Sequence, residues 1–418
     1  MWASSASGVI VILLSEETEI GLRQLAIHQA HHHAHMTSPL RHDLQLTLSS
    51  SSSSTMPPQT RHASLPPFPS DLTTAPLVSV SLAGLEARDP AAEQALWDAC
   101  RDLGFFYLDM FGSELGERIV TQAEQVNDVQ DEFWALGNAE LDKYGRDKVH
   151  DFFAYRYGEP GEVDANGVKI RNQNYNIRKD DVLGHMAPLP APPVVRTNYP
   201  LFASYIRDCR AVIDLILEQL NTRLELPLGT LAGMHRLSQP SGDHIRFTAN
   251  PPQAYDERVA KRGEHTDFGS LTVLFNWLGG LQIRHPDTDE WVYVRPVPGS
   301  PVINLGDAMV TFTAGILRSN IHRVVPAPGE QASLPRTSLV FFTRPEDDVI
   351  MRRLKGGIID AQPATEAGEE MTAQEWWMKR GTGKLPGIFT KKGFEPFEGG
   401  DLYAGSFFKD SEAPAIKA

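Results

Sequence analysis

The chain has 418 residues, enough for one domain with appendages. Its hydrophobic content of 41% and charged content of 22% support an ordinary globular core. Asp and Glu total 53 against 39 for Lys and Arg, a net charge of −14. That balance argues against a phosphate-backbone binding surface, which needs clustered positive charge, so no nucleic-acid partner is expected. Two cysteines, Cys100 and Cys209, are too few for a disulfide framework. Both lie in helical patterns among apolar neighbours and read as buried thiols, which suits a reducing, cytoplasmic setting. The apolar run from Gly8 to Leu14 is too short to cross a bilayer and lacks a basic flank, so no membrane partner is expected either.

Residues 1 to 70 read as a low-complexity extension, the first 55 dispensable. They hold the tract His31-His32-His33-Ala34-His35, a serine run from Ser49 to Ser54, and prolines at 57, 66 and 67. Such sequence buries too little apolar surface to offset chain entropy. Residues 71 to 230 read as a mostly helical region packing on a barrel. Leu77 to Val80 alternates like a short strand. Asp89-Pro90 opens a helix with apolar positions at Leu96, Ala99, Cys100 and Leu103. Gly104 ends it, and Phe105 to Leu108 reads as a buried strand. A second helix runs through Val126, Val129 and Phe133, a strand lies near Tyr175 to Ile177, and a long helix spans about 200 to 224.

Residues 231 to 345 change character. Short strands at 271–275, 281–283, 291–294, 301–305 and 338–342 alternate with Gly- and Pro-rich turns, the pattern of a double-sheet barrel. Residues 346 to 418 read as a polar extension with a short helix around Glu375-Trp376-Trp377.

Within the barrel region the chemistry-bearing residues are His265-Thr266-Asp267. At a strand end, positions i and i+2 point to one side, so an imidazole and a carboxylate converge. A second histidine from a distant strand would complete a facial triad of the kind that non-haem Fe(II) oxygenases use. The triplet alone is weak, because fourteen histidines make a chance match common. His285-Pro286-Asp287 is such a match, set in an acidic hairpin turn. His265 instead precedes Phe268-Gly269-Ser270 and an apolar strand. The distant histidine is His322, 322 − 265 = 57 residues further on. Arg336-Thr337-Ser338 opens the last strand, where a guanidinium and a hydroxyl two residues apart make a carboxylate clamp.

These residues resemble the isopenicillin N synthase-like family of Fe(II)- and 2-oxoglutarate-dependent oxygenases, in its fungal-type branch. The resemblance covers about residues 75 to 350. It is carried by His265-Thr266-Asp267-Phe268-Gly269-Ser270, Gly279-Gly280-Leu281-Gln282, Asn304-Leu305-Gly306-Asp307, Ser319-Asn320-Ile321-His322 and Arg336-Thr337-Ser338, in that order. It implies a mainly β fold with flanking helices, a double-stranded β-helix or jelly roll. It implies that His265, Asp267 and His322 hold Fe(II), and that Arg336 and Ser338 bind 2-oxoglutarate. It implies that O2 and 2-oxoglutarate are consumed, with succinate and CO2 released, while a small organic molecule is hydroxylated, desaturated or cyclised. Plant relatives carry an aromatic hydroxyl where this chain has Thr248-Ala249-Asn250-Pro251-Pro252, which leaves Asn250 or Arg246 to supply that contact.

Substrate contacts are expected from Phe152 with its neighbour Phe153, from Asn174, Tyr175 and Asn176, and from Arg246. An apolar shell around the metal is expected from Leu274, Phe275, Leu281 and Phe341, with Phe275 and Phe341 also expected to touch the substrate. Two alternatives stay open at this point: an oxidase of the same fold that needs no 2-oxoglutarate, and a non-catalytic jelly-roll binding protein. Substrate identity and oligomeric state are not legible.

Overall fold

The structure is a computed structural model, and it describes residues 58, 60–145, 152–157, 172–252, 262–285, 287–363 and 370–381. The expected dispensable extension therefore lies outside the described residues, as do the His tract and the serine run. Residues 60–70 depart from the low-complexity reading. Arg61 pairs with Asp128 and Asp131, Gln331 donates to the Pro66 carbonyl at 2.8 Å, and Phe68 meets Tyr293 edge-on at 6.0 Å. A few well-placed anchors hold a segment that composition alone assigns to a tail.

Among the described residues twelve strands form two sheets. In chain order they are β1 (Ser79–Ser81), β2 (Phe105–Asp109), β3 (Tyr155–Tyr157), β4 (Gln173–Arg178), β5 (His244–Asn250), β6 (Arg262–His265), β7 (Leu271–Asn276), β8 (Leu281–Arg284), β9 (Trp291–Tyr293), β10 (Val302–Leu305), β11 (His322–Val324) and β12 (Arg336–Thr343). The larger sheet runs β1-β2-β10-β7-β12-β5-β4-β3, and the smaller runs β6-β11-β8-β9. Four strands of the region read as mostly helical thus extend the larger sheet. The sequence pattern predicts strands at β1, β2 and β4; the short β3 gains its conformation from pairing with β4, a signal that local propensity does not carry.

The helices are α1 (Pro90–Asp102), α2 (Glu114–Ala135), α3 (Tyr199–Arg223), the short α4 (Asp307–Phe312) and α5 (Ala373–Gly381), with further single turns between them. Asp89 caps α1 by accepting from the Ala92 amide at 3.1 Å, and Pro90 starts the first turn. Gly104 ends the helix at φ +72°, and a Cβ there would stand 2.2 Å from the Arg318 carbonyl oxygen. Ser113 caps α2 in the same manner as Asp89.

Alternation along the strands divides the larger sheet into two faces. Tyr175, Ile177, Ile245 and Phe247 turn toward α2 and α3, where Phe133 stacks 4.7 Å from Tyr175 and Phe202 lies 6.0 Å from Phe247. Their neighbours Asn174, Arg246 and Thr248 turn toward the smaller sheet, and the site lies between the two. Phe247 is fully buried at the centre of the helix-facing core. Phe247→Ala should lower stability by about 3–5 kcal/mol, read from urea unfolding midpoints.

Candidate metal and oxo-acid site

β6 ends at His265 and β11 begins at His322, and antiparallel pairing sets these two residues directly opposite one another. Their ring centroids are 4.2 Å apart. Asp267 follows on the loop after β6, and its Oδ1 lies 3.9 Å from His322 Nε2. One ligand atom from each residue falls within 4.8 Å of the other two, and all three side chains are buried. Among the described residues this is the one cluster of three such groups with metal-ligand spacing.

Neighbouring groups orient Asp267 and His322. Asp267 Oδ2 accepts from Asn304 Nδ2 at 2.7 Å and from Thr272 Oγ1 at 3.2 Å, which turns Oδ1 toward the imidazoles. Asn304 and Thr272 are register partners on β10 and β7, so one cross-strand pair holds one carboxylate oxygen. His322 Nδ1 lies 3.2 Å from the Asn320 carbonyl. A carbonyl only accepts, so Nδ1 carries the proton and Nε2 presents its lone pair toward Asp267. Phe105 packs edge-on against the His322 ring at 5.4 Å. The loop from Thr266 to Ser270 approaches the end of β10 so closely that a Cβ at Gly306 would stand 2.3 Å from the Gly269 carbonyl oxygen. Two imidazoles and one carboxylate on a single point match a divalent first-row metal with open positions.

The cluster opens into a pocket of about 660 Å³ of empty space, partly open to solvent. Arg336, on β12, projects into its far end. Its side chain is buried, its Nε donates to the Gly279 carbonyl at 2.8 Å, and no carboxylate among the described residues forms an ion pair with it. Burial lowers its pKa to about 10, which leaves it charged at neutral pH. Gly279-Gly280 forms its seat: a Cβ on Gly280 would crowd both the Val325 carbonyl oxygen and Arg336 Nε. Ser338 shares the face of Arg336. Across the β5–β12 ladder Asn250 opposes Arg336 and Thr248 opposes Ser338. A buried guanidinium beside hydroxyls and an amide has the chemistry that suits an anionic oxygen ligand.

The pocket gathers His265, Asp267, His322, Arg336, Ser338, Asn250, Arg246 and Asn174. Asn176 and Phe152 stand behind Arg246: Asn176 Oδ1 accepts from Arg246 Nε at 2.7 Å, its Nδ2 donates to the Phe152 carbonyl, and the Phe152 ring lies 5.6 Å from the guanidinium. Phe153 sits further out, beneath Arg178. Neither Asn176 nor Phe152 lines the pocket, and three further expected contacts do not reach it. Tyr175, Phe275 and Phe341 occupy the helix-facing side, because the pleat sends each to the face opposite its neighbours Asn174, Leu274 and Val340. The expected apolar shell is therefore corrected to Leu274 and Leu281, joined by Val324, Val340, Phe105 and Phe342. His285 lies in the turn between β8 and β9, where its Nδ1 accepts the Asp287 amide. The residues not anticipated are Thr272, Asn304, Thr248 and Asn172. Asn304 stood in a recognisable motif, but its role depends on the register of β10 against β7.

A model of the 2OG-Fe(II) oxygenase superfamily matches residues 242–345. A 2-oxoglutarate-dependent dioxygenase of Aspergillus fumigatus is 30% identical over 336 residues, covering 74% of this chain and 86% of the relative. The 2-oxoglutarate-dependent dioxygenase gloE of Glarea lozoyensis is 28% identical over 68% of this chain and 84% of its own. Among solved structures, a full-length Neurospora crassa protein in complex with alpha-KG superposes with a TM-score of 0.60 at 19% identity, covering 75% of this chain and 97% of that one. A 2OG-Fe(II) oxygenase family protein from Caulobacter crescentus gives 0.61 at 23% identity, over 73% and 98%. The chain belongs to the 2OG-Fe(II) oxygenase superfamily, and its fold is the jelly roll with buttressing helices. It is a 2-oxoglutarate-dependent dioxygenase whose cofactors are Fe(II), 2-oxoglutarate and O2. No helix among the described residues is long and apolar enough to cross a membrane.

Ser270, which closes the loop carrying Asp267, hydrogen-bonds to His235 Nε2 at 2.7 Å, and His235 Nδ1 meets the Leu231 carbonyl at 2.7 Å. Burial lowers the His235 pKa to about 4. The unfolded chain takes up this proton near pH 6.5 and the folded chain only near pH 4, so stability is present above pH 6.5 and lost as pH falls through that window. His235→Gln should flatten the fall between pH 7 and pH 5 by about 2 kcal/mol, read from denaturant midpoints at the two pH values.

Proposed function

We propose that His265, Asp267 and His322 hold the iron, that Arg336 and Ser338 take the distal carboxylate of 2-oxoglutarate, and that the wall formed by β4 and β5 receives a compact polar metabolite for hydroxylation. One observation carries the reading: a buried guanidinium without a carboxylate partner among the described residues faces the pocket that contains the His-Asp-His cluster. Such a charge is costly unless a ligand completes it. Two neutral imidazoles and one carboxylate leave a divalent ion with net positive charge, so both ends of the pocket favour a dianionic oxo acid. When bound, iron and 2-oxoglutarate supply the oxidising power for attack on an unactivated C–H bond.

The protein's own residues do the rest. Asn304 and Thr272 hold the Asp267 carboxylate in one orientation, and the Asn320 carbonyl fixes the His322 tautomer. Leu274, Leu281, Val324 and Val340 line the span between the cluster and Arg336, where they exclude water from the methylenes of the oxo acid. Asn250 lies directly opposite Arg336 across the β5–β12 ladder, where its amide can reach the same ligand.

The substrate side is polar. Asn172, Asn174 and Asn250 each have a buried amide oxygen that no group among the described residues satisfies, which suits them to a ligand. Arg246 lies between them and Phe342, its guanidinium 4.8 Å from that ring. Amides offer donors and acceptors side by side, so a flat or compact molecule carrying carbonyl and N–H groups fits this wall. The Neurospora crassa protein of like fold was crystallised with thymine and with 5-formyluracil, ligands of that size and polarity.

An anaerobic titration tests the co-substrate roles. Fe(II)-loaded protein mixed with 2-oxoglutarate should develop the weak visible charge-transfer band of a chelated oxo acid. Arg336→Ala should need about 10–100-fold more 2-oxoglutarate. His265→Ala and Asp267→Ala should give neither band nor succinate. A band at the wild-type ligand concentration in Arg336→Ala would move the clamp elsewhere. The substrate reading is tested by succinate release: polar carbonyl and N–H compounds of nucleobase size should stimulate it, and apolar compounds of equal size should not. The reverse order would remove the polar-wall assignment.

A further inference from the structure

We propose that the carboxy-terminal helix α5 is a clamp on the metal-bearing loop, with Arg380 and Trp376 as positioning residues for His265 and Asp267. This rests on the assignment of those two residues as metal ligands.

The observations concern the loop Thr266 to Ser270. Asp307, at the start of α4, is fully buried. Its Oδ2 accepts from Thr266 Oγ1 at 2.9 Å, and its amide donates to the Asp267 carbonyl at 2.8 Å. Thr266 stands between the two ligands, so one aspartate grips the backbone and side chains at the point where they diverge. Asp307 Oδ2 is in turn bonded to Arg380 Nη2 of α5, and the two side chains are 0% and 4% exposed. One turn earlier on the same helix, Trp376 Nε1 donates to the Phe268 carbonyl at 3.0 Å. The Arg380 guanidinium also lies 5.3 Å from the Trp376 ring and 5.9 Å from the Phe268 ring. The helix thus reaches the loop on both sides of Asp267, through Thr266 by way of Asp307 and through Phe268 directly.

A buried ion pair is a poor stabilising device, because desolvation offsets most of the attraction, and its best-attested use is to fix one arrangement over others. Here the arrangement fixed is the path of a short loop whose side chain must point at the two imidazoles. The loop bears two close backbone approaches, at Gly269 and Gly306, but no regular secondary structure holds it. Partners beyond the ligands themselves affect metal affinity strongly, because they set ligand orientation before the metal arrives.

The test uses the full chain and Co(II) as the probe, its binding followed by the visible absorption of the ion without turnover. Arg380→Met should weaken Co(II) binding about 10–100-fold. Arg380→Lys, which keeps the charge, should recover most of the loss. Trp376→Phe, which removes a single N–H donor, should weaken it about 2–10-fold. In the metal-free protein, hydrogen exchange at the Asp307 and Ala308 amides, bonded to the Asp267 and Gly269 carbonyls, should quicken in Arg380→Met. Leu217→Ala, in the helix-facing core, serves as the stability control. If Arg380→Met and Trp376→Phe hold Co(II) within twofold of wild type while His265→Ala does not, the clamp is overturned and the metal assignment stands. If His265→Ala binds as wild type does, the metal assignment itself fails. If Leu217→Ala weakens Co(II) as much as Arg380→Met at an equal loss of melting temperature, α5 acts through global stability alone and the clamp is overturned. Should Arg380→Met not fold, Trp376→Phe decides: affinity within twofold of wild type overturns the clamp.

Discussion

The antiparallel pairing of β6 with β11 is the contact on which the site depends. It sets His265 and His322 face to face and leaves the chain after His265 to bring Asp267 into the same space. Two residues 57 apart in sequence become nearest neighbours through a few backbone hydrogen bonds. The larger sheet supplies the opposing wall, and its β10–β7 ladder delivers Asn304 and Thr272 together to one oxygen of Asp267. Each sheet therefore contributes what the other lacks: the smaller brings the imidazoles, the larger orients the carboxylate and carries Arg336.

Burial shapes the electrostatics of this arrangement. Arg336 is lowered in pKa by desolvation and has no protein carboxylate to offset that cost among the described residues. Asp307 is equally buried but is met by Arg380 and Thr266. The contrast separates two uses of buried charge in one fold. The completed pair is structural and holds a loop. The other faces a cavity.

Much of the site was legible before the fold. His-x-Asp at a strand end, a distant histidine and Arg-x-Ser opening an apolar strand are short-range patterns tied to ligand chemistry, and they converge in one pocket. The limits fall where the period-2 alternation of a strand could not be phased from sequence. Phe275 and Phe341 are large, apolar and one residue from pocket-lining positions, yet the pleat gives them to the helices. Tyr175 leaves the pocket for the same reason, while Asn174 beside it stays. Residues 60 to 70 escape the compositional reading because specific anchors at Arg61, Pro66 and Phe68 hold them, an outcome composition does not encode.

What the amino-acid sequence determined by itself was the chemistry: which residue types could hold a divalent metal and an oxo acid, in which order, and on strands rather than helices. Those properties live in side-chain identity and in spacings of two residues. Tertiary structure alone decided which face of each strand meets the cavity, that Asn304 and Thr272 share one carboxylate oxygen, and that a helix more than a hundred residues downstream bonds to the loop carrying Asp267 and to its neighbour Asp307. Each of these rests on strand register or on contact between distant segments, and neither quantity is a property of any local stretch of chain.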